Sequence, residues 1–400
     1  MMQSVDSVLA GLMDGPALWF AAFAVLALLF QYLTVAAAAF QCRHDRPLRL
    51  SRDDAWVTLV RPVCGLEPYS LETLGSSFHI DWANYEVIFC AADDNDPVLE
   101  VVRDLIAKNP DVAASIVTGR ENYANPKLAN MALGWRAAEG SWIVFTDSNV
   151  ELPRNYLHRL FQAVTPQTGL VSAPPAGQAP QGFWGYVECA MLNEWQGRIQ
   201  YAVNSVGAGF AQGKNLMVHR AMLEHGGFDA LASEAAEDAA ATKLVRSKGL
   251  RVTLAGPPFA QLLGPRNFWQ VWSRHLRWAR LRRKTFPLLY VPEIFSGPCI
   301  ALLAVLAAAW LADIPLAIAA LGFLTLWYAP EIVLAKLARW PLSPLAPGIY
   351  MVRDVMIMAI YFASWSGKEI VWNGHVVAGP VAELSVRAEQ PAKTALQQTG

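Results

Sequence analysis

The chain has 400 residues, of which 54% are apolar and only 16% are charged, whereas soluble domains usually contain about 25% charged residues. Most of the deficit lies at the N-terminus and in the last third, and the net charge of -1 excludes bulk attraction to nucleic acid. The five cysteines are odd in number and share no metal-ligand spacing, which favours free thiols in a reducing, cytosolic setting.

The first long feature is an uncharged apolar stretch at residues 17–40, and about 20 apolar residues cross the hydrocarbon core of a bilayer. The alternative is a cleaved signal peptide, because the stretch ends in small residues. A signal peptide carries positive charge before its apolar core, but here Asp6 and Asp14 precede it and no Lys or Arg does. Basic residues follow instead, at Arg43, Arg46, Arg49 and Arg52. We therefore predict a retained anchor over residues 1–41, with the next domain cytoplasmic by the positive-inside rule.

The middle of the chain alternates between strand-like and helical patterns. Strand-like apolar runs cover residues 56–60, 86–91, 113–117 and 142–145. Helical spacing of apolar residues covers 70–80, 98–106, 127–138 and 240–247. The alternation predicts an α/β domain within residues 42–286, built on a mostly parallel sheet with helices on both faces. In such sheets, ligands bind at the carboxyl ends of the strands, and Asp93 and Asp147 follow two of these runs.

These two aspartates each have two interpretations. Asp93 can accept hydrogen bonds from a base or a ribose hydroxyl, or it can form a turn or a cap ahead of the helix that begins near Pro97. Asp147 can hold Mg²⁺ or Mn²⁺, which then bridges two phosphates, or it can belong to a strand-end turn. The second position of a two-acid metal motif is occupied by Asn149, which is a weaker, neutral ligand.

The acidic pair Glu237-Asp238 comes directly before a helical pattern. A carboxylate is a competent general base when it lies within hydrogen-bond reach of an attacking hydroxyl. The alternative is that the pair supplies negative charge to the N-terminus of the following helix.

A basic segment covers residues 274–284 and includes Trp278. Arg binds phosphate through two parallel hydrogen bonds, and a spacing of three places Arg274 and Arg277 on one helix face. The alternative is an anchor at an anionic membrane surface. We assign Arg274 and Arg277 to a diphosphate and residues 280–284 to the membrane.

The last third contains apolar segments at residues 293–312, 315–335 and 345–365. They predict transmembrane or re-entrant helices within residues 287–366. The third segment contains Arg353-Asp354, and a charged pair at membrane depth faces protein or a watery cavity; the alternative is that this stretch lies at the interface. Residues 367–400 are predicted to form an interfacial segment and a mobile tail.

Several of these landmarks together resemble the ceramide glucosyltransferases and their bacterial lipid-glycosyltransferase relatives. The matching segments, in chain order, are Arg61–Pro68, Asp93 before Asp96-Pro97, Asn125-Pro126-Lys127 with Asn130, Asp147-Ser148, Glu237-Asp238 and the Arg-x-x-Arg-Trp run Arg274–Trp278. The resemblance continues weakly to Asn373-Gly374. Family members often have Gly where this chain has Asn149, and residues 209–217 look more like bacterial lipid transferases than animal ceramide enzymes. Lys214 in that segment contacts donor or acceptor, or is a structural loop lysine.

The resemblance implies a nucleotide-sugar-binding fold of the GT-A type and a membrane-bound, inverting glycosyltransferase. It implies transfer from a UDP-sugar to a lipid hydroxyl at the cytoplasmic leaflet of the inner membrane, with no obligate protein partner. Asp238 is then the catalytic base and Asp147 the ligand of Mg²⁺ or Mn²⁺. The remaining substrate-binding residues are Asp93, Lys127, Asn130, Glu237, Arg274, Arg277 and Trp278.

Three alternatives stay open. The acceptor is ceramide, diacylglycerol or a hopanoid, since each presents a hydroxyl at the interface. A processive polysaccharide synthase has the same fold, but it needs more membrane helices to form a channel. A lipid-binding protein without activity could also have kept the fold, although the three acids of the pattern are all present.

Overall fold

The computed structural model describes residues 15–43 and 55–366, together with the backbone of two short strands at 371–372 and 375–376. Some predictions therefore lie outside the described residues. These are the predicted interfacial segment and tail at 367–400 apart from those two strands, including Asn373-Gly374, and the charged residues Asp6, Asp14, Arg46, Arg49 and Arg52.

The described strands are β1 Val57–Pro62, β2 Tyr85–Ala91, β3 Ala113–Thr118, β4 Trp142–Thr146, β5 Thr168–Ser172, β6 Pro175–Gln181, β7 Asn215–His219, β8 Arg251–Leu254, β9 Phe259–Pro265, β10 Val371–Trp372 and β11 His375–Val376. The α-helices are α1 Pro16–Gln41, α2 Ser70–Gly75, α3 Val98–Lys108, α4 Pro126–Ala137, α5 Tyr156–Gln162, α6 Gly182–Ala190, α7 Arg198–Ser205, α8 Glu237–Ser247, α9 Phe268–Thr285, α10 Pro287–Tyr290, α11 Pro298–Leu311, α12 Leu316–Ala338 and α13 Ala346–Ser364. A π-helical turn at Met191–Gly197 joins α6 to α7, and short 3₁₀ turns occur at Ser76–Phe78, Arg220–Met222, Asp229–Ser233 and Val291–Ser296.

The chain divides into two compact units. Among the described residues, a sheet unit contains 55–173, 210–255 and the two short strands at 371–372 and 375–376, and a helical unit contains 15–43, 174–209 and 256–366. Three described segments of the predicted 42–286 domain, at 42–43, 174–209 and 256–286, therefore belong to the helical unit. The predicted functional boundaries themselves stay a prediction.

The sheet unit is built on seven strands in the order β3-β2-β1-β4-β7-β5-β8. The strands β3, β2, β1 and β4 are parallel to one another. Nearly all apolar residues of β1, β2 and β4 are buried because helices cover the sheet, whereas the edge strand β3 is only partly buried. The predicted mostly parallel α/β fold is thus confirmed.

One strand runs against the others in a way that the sequence patterns did not predict. Strand β7 is antiparallel to both β4 and β5, and its first residue, Asn215, pairs with Thr146 at the end of β4. The residue before β7 therefore lies beside the residue after β4. A backbone hydrogen bond of 3.2 Å from the Asp147 N–H to the Lys214 carbonyl holds these two residues together.

Helices α4 and α8 carry site residues at their N-termini, and both pack on the sheet. Leu128 and Met131 of α4 and Val245 of α8 belong to the same buried cluster as the sheet residues. A Cβ at Gly134 would overlap the Val60 side chain, so only glycine lets α4 approach β1 this closely. The close packing fixes the first turn of α4 relative to the sheet.

Within the residues that the structure describes, three helices of the helical unit are long and apolar enough to cross a membrane, namely α1, α12 and α13. They coincide with three of the predicted segments. The predicted segment 293–312 differs, because the helical residues Pro287–Ser296 and Pro298–Leu311 meet at a bend of 51°. Pro298 has no N–H to continue a preceding helix but is well suited to begin one. This stretch is therefore a broken span or a re-entrant loop.

The charged pair noted in the third apolar segment faces protein. Arg353 lies 2.8 Å from Glu331 and 2.9 Å from Asp354, and these three side chains are at most 3% exposed. Gln31 of α1 donates a hydrogen bond of 2.7 Å to Glu331. These contacts join α1, α12 and α13 through buried charge.

We expect Glu331→Leu to destabilise the helical unit strongly. Removing one partner of a buried ion pair leaves the other charge uncompensated, and this typically costs about 3–5 kcal/mol. Thermal unfolding of the full chain in detergent would show the loss, and Glu331→Gln, which keeps hydrogen-bonding atoms, should lose less. Equal unfolding temperatures for Glu331→Leu and the unmodified chain would contradict a stabilising role for the pair.

Candidate active site

The carboxyl edge of the sheet unit holds a network of alternating charges. The Lys127 ammonium lies 2.7 Å from Asp147 Oδ1 and 2.6 Å from Glu237 Oε1, and it donates a hydrogen bond of 2.6 Å to the Gly213 carbonyl. The Lys214 ammonium lies 2.6 Å from Asp147 Oδ2. Residues from α4, α8 and the ends of β4 and β7 thus meet at one place, which we call the charge network.

Asp238 joins this network through the backbone of Gly213. The Gly213 N–H donates to Asp238 Oδ2 at 2.8 Å, and the Ala239 N–H donates to Asp238 Oδ1 at 2.7 Å. A Cβ at Gly213 would lie 2.8 Å from Glu237 Oε1 and 3.0 Å from the Lys127 ammonium. Any other residue here would push the Glu237 carboxylate and the Lys127 ammonium aside, so glycine lets the backbone lie close to these charged side chains.

The environment separates the pKa values of the acids. Burial and the nearby negative charge of Glu237 raise the pKa of Asp238 to about 6. Burial alone would also raise the pKa of Asp147, but the positive charges of Lys127 and Lys214 outweigh it and hold that pKa well below its ordinary value. Asp147 is therefore ionised at neutral pH, whereas Asp238 titrates near pH 6. Such divergence between neighbouring acids is typical of catalytic sites.

The turn after β4 is held in place from both sides. Asn149 accepts a hydrogen bond of 3.1 Å from the Lys214 ammonium and donates one of 3.0 Å to Glu67. From the sheet side, the guanidinium of Arg61 donates to the carbonyls of Ser148 and Val150 at 3.1 Å. Arg61 is fully buried, and this burial lowers its pKa to about 10. The sequence analysis named Arg61 as the start of the family-like segment Arg61–Pro68 but did not predict its contacts with the turn after β4.

At the end of β2, Asp93 and Asp96 form local turn and cap contacts. Asp93 is exposed, and its Oδ1 accepts a hydrogen bond of 2.9 Å from the Asn95 N–H. Asp96 accepts hydrogen bonds of 3.0 Å from the N–H groups of Gly65 and Val98. Asp96 therefore ties the loop after β1 to the start of α3. The predicted contact between Asp93 and a nucleotide stays a prediction.

Two other residues of the α4 segment have clear structural contacts. Asn125 caps α4 by accepting from the Lys127 N–H at 3.0 Å, and its amide donates to Glu237 Oε2 at 2.9 Å. Asn130 is buried, and its amide donates to the Val63 carbonyl at 3.2 Å. Asn130 thus joins α4 to the end of β1, and its predicted role in substrate binding stays a prediction.

The Arg-x-x-Arg-Trp residues lie on α9, in the helical unit. Arg274 pairs at 2.7 Å with Glu188, which is fully buried and also pairs at 2.7 Å with Arg266. Trp278 packs against an apolar cluster that contains Leu192. Burial lowers the pKa of Arg277 to about 10. Arg274 thus has an acidic partner of its own, and the predicted contacts of Arg274, Arg277 and Trp278 with a diphosphate stay predictions.

Comparison with known proteins places the chain in a family. The model of Glycosyl transferase family 21 matches residues 18–378. Ceramide glucosyltransferase 1 of Caenorhabditis elegans is 26% identical over 241 residues, which are 59% of this chain and 52% of that protein. The ceramide glucosyltransferase of Komagataella phaffii is 34% identical over 113 residues, or 27% of this chain and 22% of that protein. The chain thus spans about half the length of the first of these relatives, and less of the second.

A solved structure shares the fold. The mannosyltransferase PcManGT from Pyrobaculum calidifontis, solved in complex with GDP-Man and Mn²⁺, superposes with a TM-score of 0.52 at 20% identity, over 88% of this chain and 99% of that one. This likeness confirms the predicted GT-A-like fold. The family match covers most of the chain and confirms the resemblance to ceramide glucosyltransferases. This protein therefore belongs to glycosyl transferase family 21.

Proposed function

We propose that the protein transfers one sugar from a UDP-sugar to the hydroxyl of a membrane lipid, with inversion at the anomeric carbon. The observation that carries this proposal is the charge network at the carboxyl edge of the sheet. It combines a carboxylate whose pKa is about 6 with two ammonium groups, within residues of one compact unit. The carboxylate can accept a proton near neutral pH, and the two ammonium groups can bind the negative charge of a diphosphate.

Asp238 is the proposed base. The acceptor oxygen attacks the anomeric carbon while the bond from that carbon to the diphosphate oxygen breaks, and the hydroxyl proton passes to the Asp238 carboxylate. Backbone N–H groups hold both Asp238 oxygens, which fixes the carboxylate while leaving lone pairs for the proton. A single displacement of this kind inverts the anomeric centre.

In this proposal, positively charged side chains bind the diphosphate of the donor, and residues at the strand ends bind its nucleoside. Lys127 and Lys214 can stabilise negative charge on the leaving diphosphate, because a fixed cation in a partly buried site acts more strongly than one in water. Asp93 at the end of β2 is the proposed contact to the nucleoside, with Asn130 and Glu237 supporting the site. Arg274, Arg277 and Trp278 are proposed to close over the diphosphate and the acceptor.

A divalent cation fits the pair Asp147 and Asn149. Mg²⁺ is usually bound by one or two carboxylates together with substrate phosphates and water. Asp147 Oδ2 and Asn149 Oδ1 already converge on one positive charge, the Lys214 ammonium. In the part of the chain that the structure describes, no group of three His, Cys, Asp or Glu side chains could hold a metal, so the protein would supply only part of the ligand set. When bound, Mg²⁺ or Mn²⁺ would neutralise charge on the diphosphate.

The apolar helices suggest where the reaction takes place. Helix α1 ends at Gln41 and is followed by Arg43, which agrees with a cytoplasmic position for the domain that follows. We propose an anchor at 1–41, a catalytic domain within 42–286, membrane helices within 287–366 and an interfacial tail at 367–400. The acceptor would then be reached at the cytoplasmic leaflet of the inner membrane.

The direct test uses the full chain in detergent or nanodiscs with labelled UDP-glucose, UDP-galactose, UDP-glucuronate and UDP-N-acetylglucosamine. Ceramide, diacylglycerol and a hopanoid are offered as acceptors, and products are analysed by mass spectrometry. We expect a lipid carrying one sugar, with the anomeric configuration inverted. A long glycan would instead identify a polysaccharide synthase, and lipid binding without transfer from any donor would identify a protein without activity.

The pKa of Asp238 predicts the shape of the pH profile. A base must be ionised to accept a proton, so kcat/KM should fall below about pH 6, by about tenfold per pH unit, and level off above it. Rates measured across about pH 5 to 9 with one donor and one acceptor would show this acidic limb. An acidic limb centred near the ordinary value for aspartate, about 4, would argue against the base assignment.

A further inference from the structure

Lys214 stands at the point where the two oxygens of the proposed metal pair converge. Its ammonium lies 2.6 Å from Asp147 Oδ2 and 3.1 Å from Asn149 Oδ1. The side chain is only 13% exposed. Its position is set by the antiparallel pairing of β7 with β4, which places Lys214 directly opposite Asp147.

The negative charge of Asp147 is already compensated by two lysines. Asp147 contacts Lys127 through one oxygen and Lys214 through the other. A free divalent ion that entered here would have to displace an ammonium from a largely buried carboxylate, and it would be repelled by both lysines. An incoming diphosphate changes this balance, because its oxygens offer new partners both to the ion and to the lysines.

We propose that Lys214 is a resident cation that keeps divalent ions away from Asp147 and Asn149 until the nucleotide arrives. When a metal–nucleotide complex binds, the ammonium leaves these two oxygens and pairs with the phosphates. A flexible four-carbon stem with a point charge suits such a movement better than the planar head of arginine does. Exclusion of the free ion stands independently of the reaction, whereas the movement to the phosphates rests on the proposed function.

The first arm of the test measures Mn²⁺ binding without nucleotide, by electron paramagnetic resonance on the full chain in detergent. Lys214→Met should bind Mn²⁺ about tenfold or more tightly than the unmodified protein, because the carboxylate loses a competing charge. Adding Asp147→Asn to Lys214→Met should abolish the gain, which locates the ion. The matched control is Lys243→Met, which removes a lysine paired with Glu234 elsewhere in the sheet unit and should leave Mn²⁺ binding unchanged.

The second arm measures the affinity for UDP in the presence of Mn²⁺. Lys214→Met should bind UDP more weakly, because one ammonium no longer meets the phosphates. The same substitution thus tightens binding of the ion alone and weakens binding of the nucleotide. A lysine with a purely structural role would not produce these opposite effects, since its loss would weaken both.

Two results would overturn the proposal. One is that the unmodified protein binds Mn²⁺ as tightly without UDP as with it, which needs no variant. The other is that Lys214→Met unfolds at the normal temperature and shows no gain in Mn²⁺ affinity. If Mn²⁺ binds as expected but no form of the protein binds UDP, the exclusion of free ions stands and the proposed donor class fails.

Discussion

Asp238→Asn should abolish measurable transfer while leaving the protein folded and able to bind donor. Asparagine has nearly the same shape but cannot accept the hydroxyl proton, and loss of a general base typically reduces the rate by about 10² to 10⁴. Initial rates of sugar transfer would show the loss, and UDP binding by calorimetry should change little. The amide nitrogen of asparagine cannot accept a hydrogen bond, so one of the two backbone N–H groups that hold Asp238 loses its acceptor. The substitution also removes a charge that burial disfavours, so the unfolding temperature near pH 8 should fall only modestly.

The neighbouring acid provides a matched control. Glu237 lies on the same turn of α8, but it pairs with Lys127 and Asn125. Glu237→Gln should keep a working base and lose much less rate than Asp238→Asn. It should also move the acidic limb of the pH profile to lower pH, because Glu237 helps to raise the pKa of Asp238. Full turnover by Asp238→Asn, or equal losses for the two variants, would contradict the assignment of Asp238 as the base.

Lys127→Met should destabilise the sheet unit strongly. The Lys127 ammonium contacts Asp147, Glu237 and the Gly213 carbonyl, and its side chain is only 14% exposed. Removing it leaves two carboxylates close together with less compensation, which should lower the free energy of unfolding by about 3 kcal/mol. Chemical unfolding of the full chain, monitored in the sheet unit, would measure this loss.

Two comparisons separate the role of Lys127 from a general effect of charge removal. Lys243→Met breaks an exposed pair with Glu234 and should cost at most about 1 kcal/mol. In addition, the positive charge of Lys127 lowers the pKa of Asp238, so any residual activity of Lys127→Met should show an acidic limb at higher pH. Equal stability losses for the two lysine variants would argue against a central position for Lys127 in the network.

Strands β1 to β4 could be predicted from the sequence because this part of the sheet is built from strands that alternate with helices along the chain. The apolar runs at 56–60, 86–91, 113–117 and 142–145 coincide with β1 to β4. Parallel strands joined by helices bury both faces, so composition and spacing are enough to find them. The same holds for the apolar helices, because length and the absence of charge identify them without tertiary information.

The acids at the strand ends were also visible, but their partners were not. The sequence singled out Asp147, Lys127 and Asp238 by pattern and resemblance, and the structure brings them into one network. Glu188, the partner of Arg274, was not anticipated. A salt bridge between residues far apart in the chain leaves no periodic trace in the sequence.

The sequence by itself determined the fold class, the apolar helices, the family resemblance and the acids placed at strand ends. Only the tertiary structure decided what surrounds those acids. Strand β7 enters the sheet antiparallel to β4, and this pairing places Gly213 and Lys214 beside Asp147. The physical reason is that the spacing of apolar residues along the chain indicates which residues are buried and whether they form a strand or a helix. The pairing and register of distant strands depend instead on how the whole chain packs.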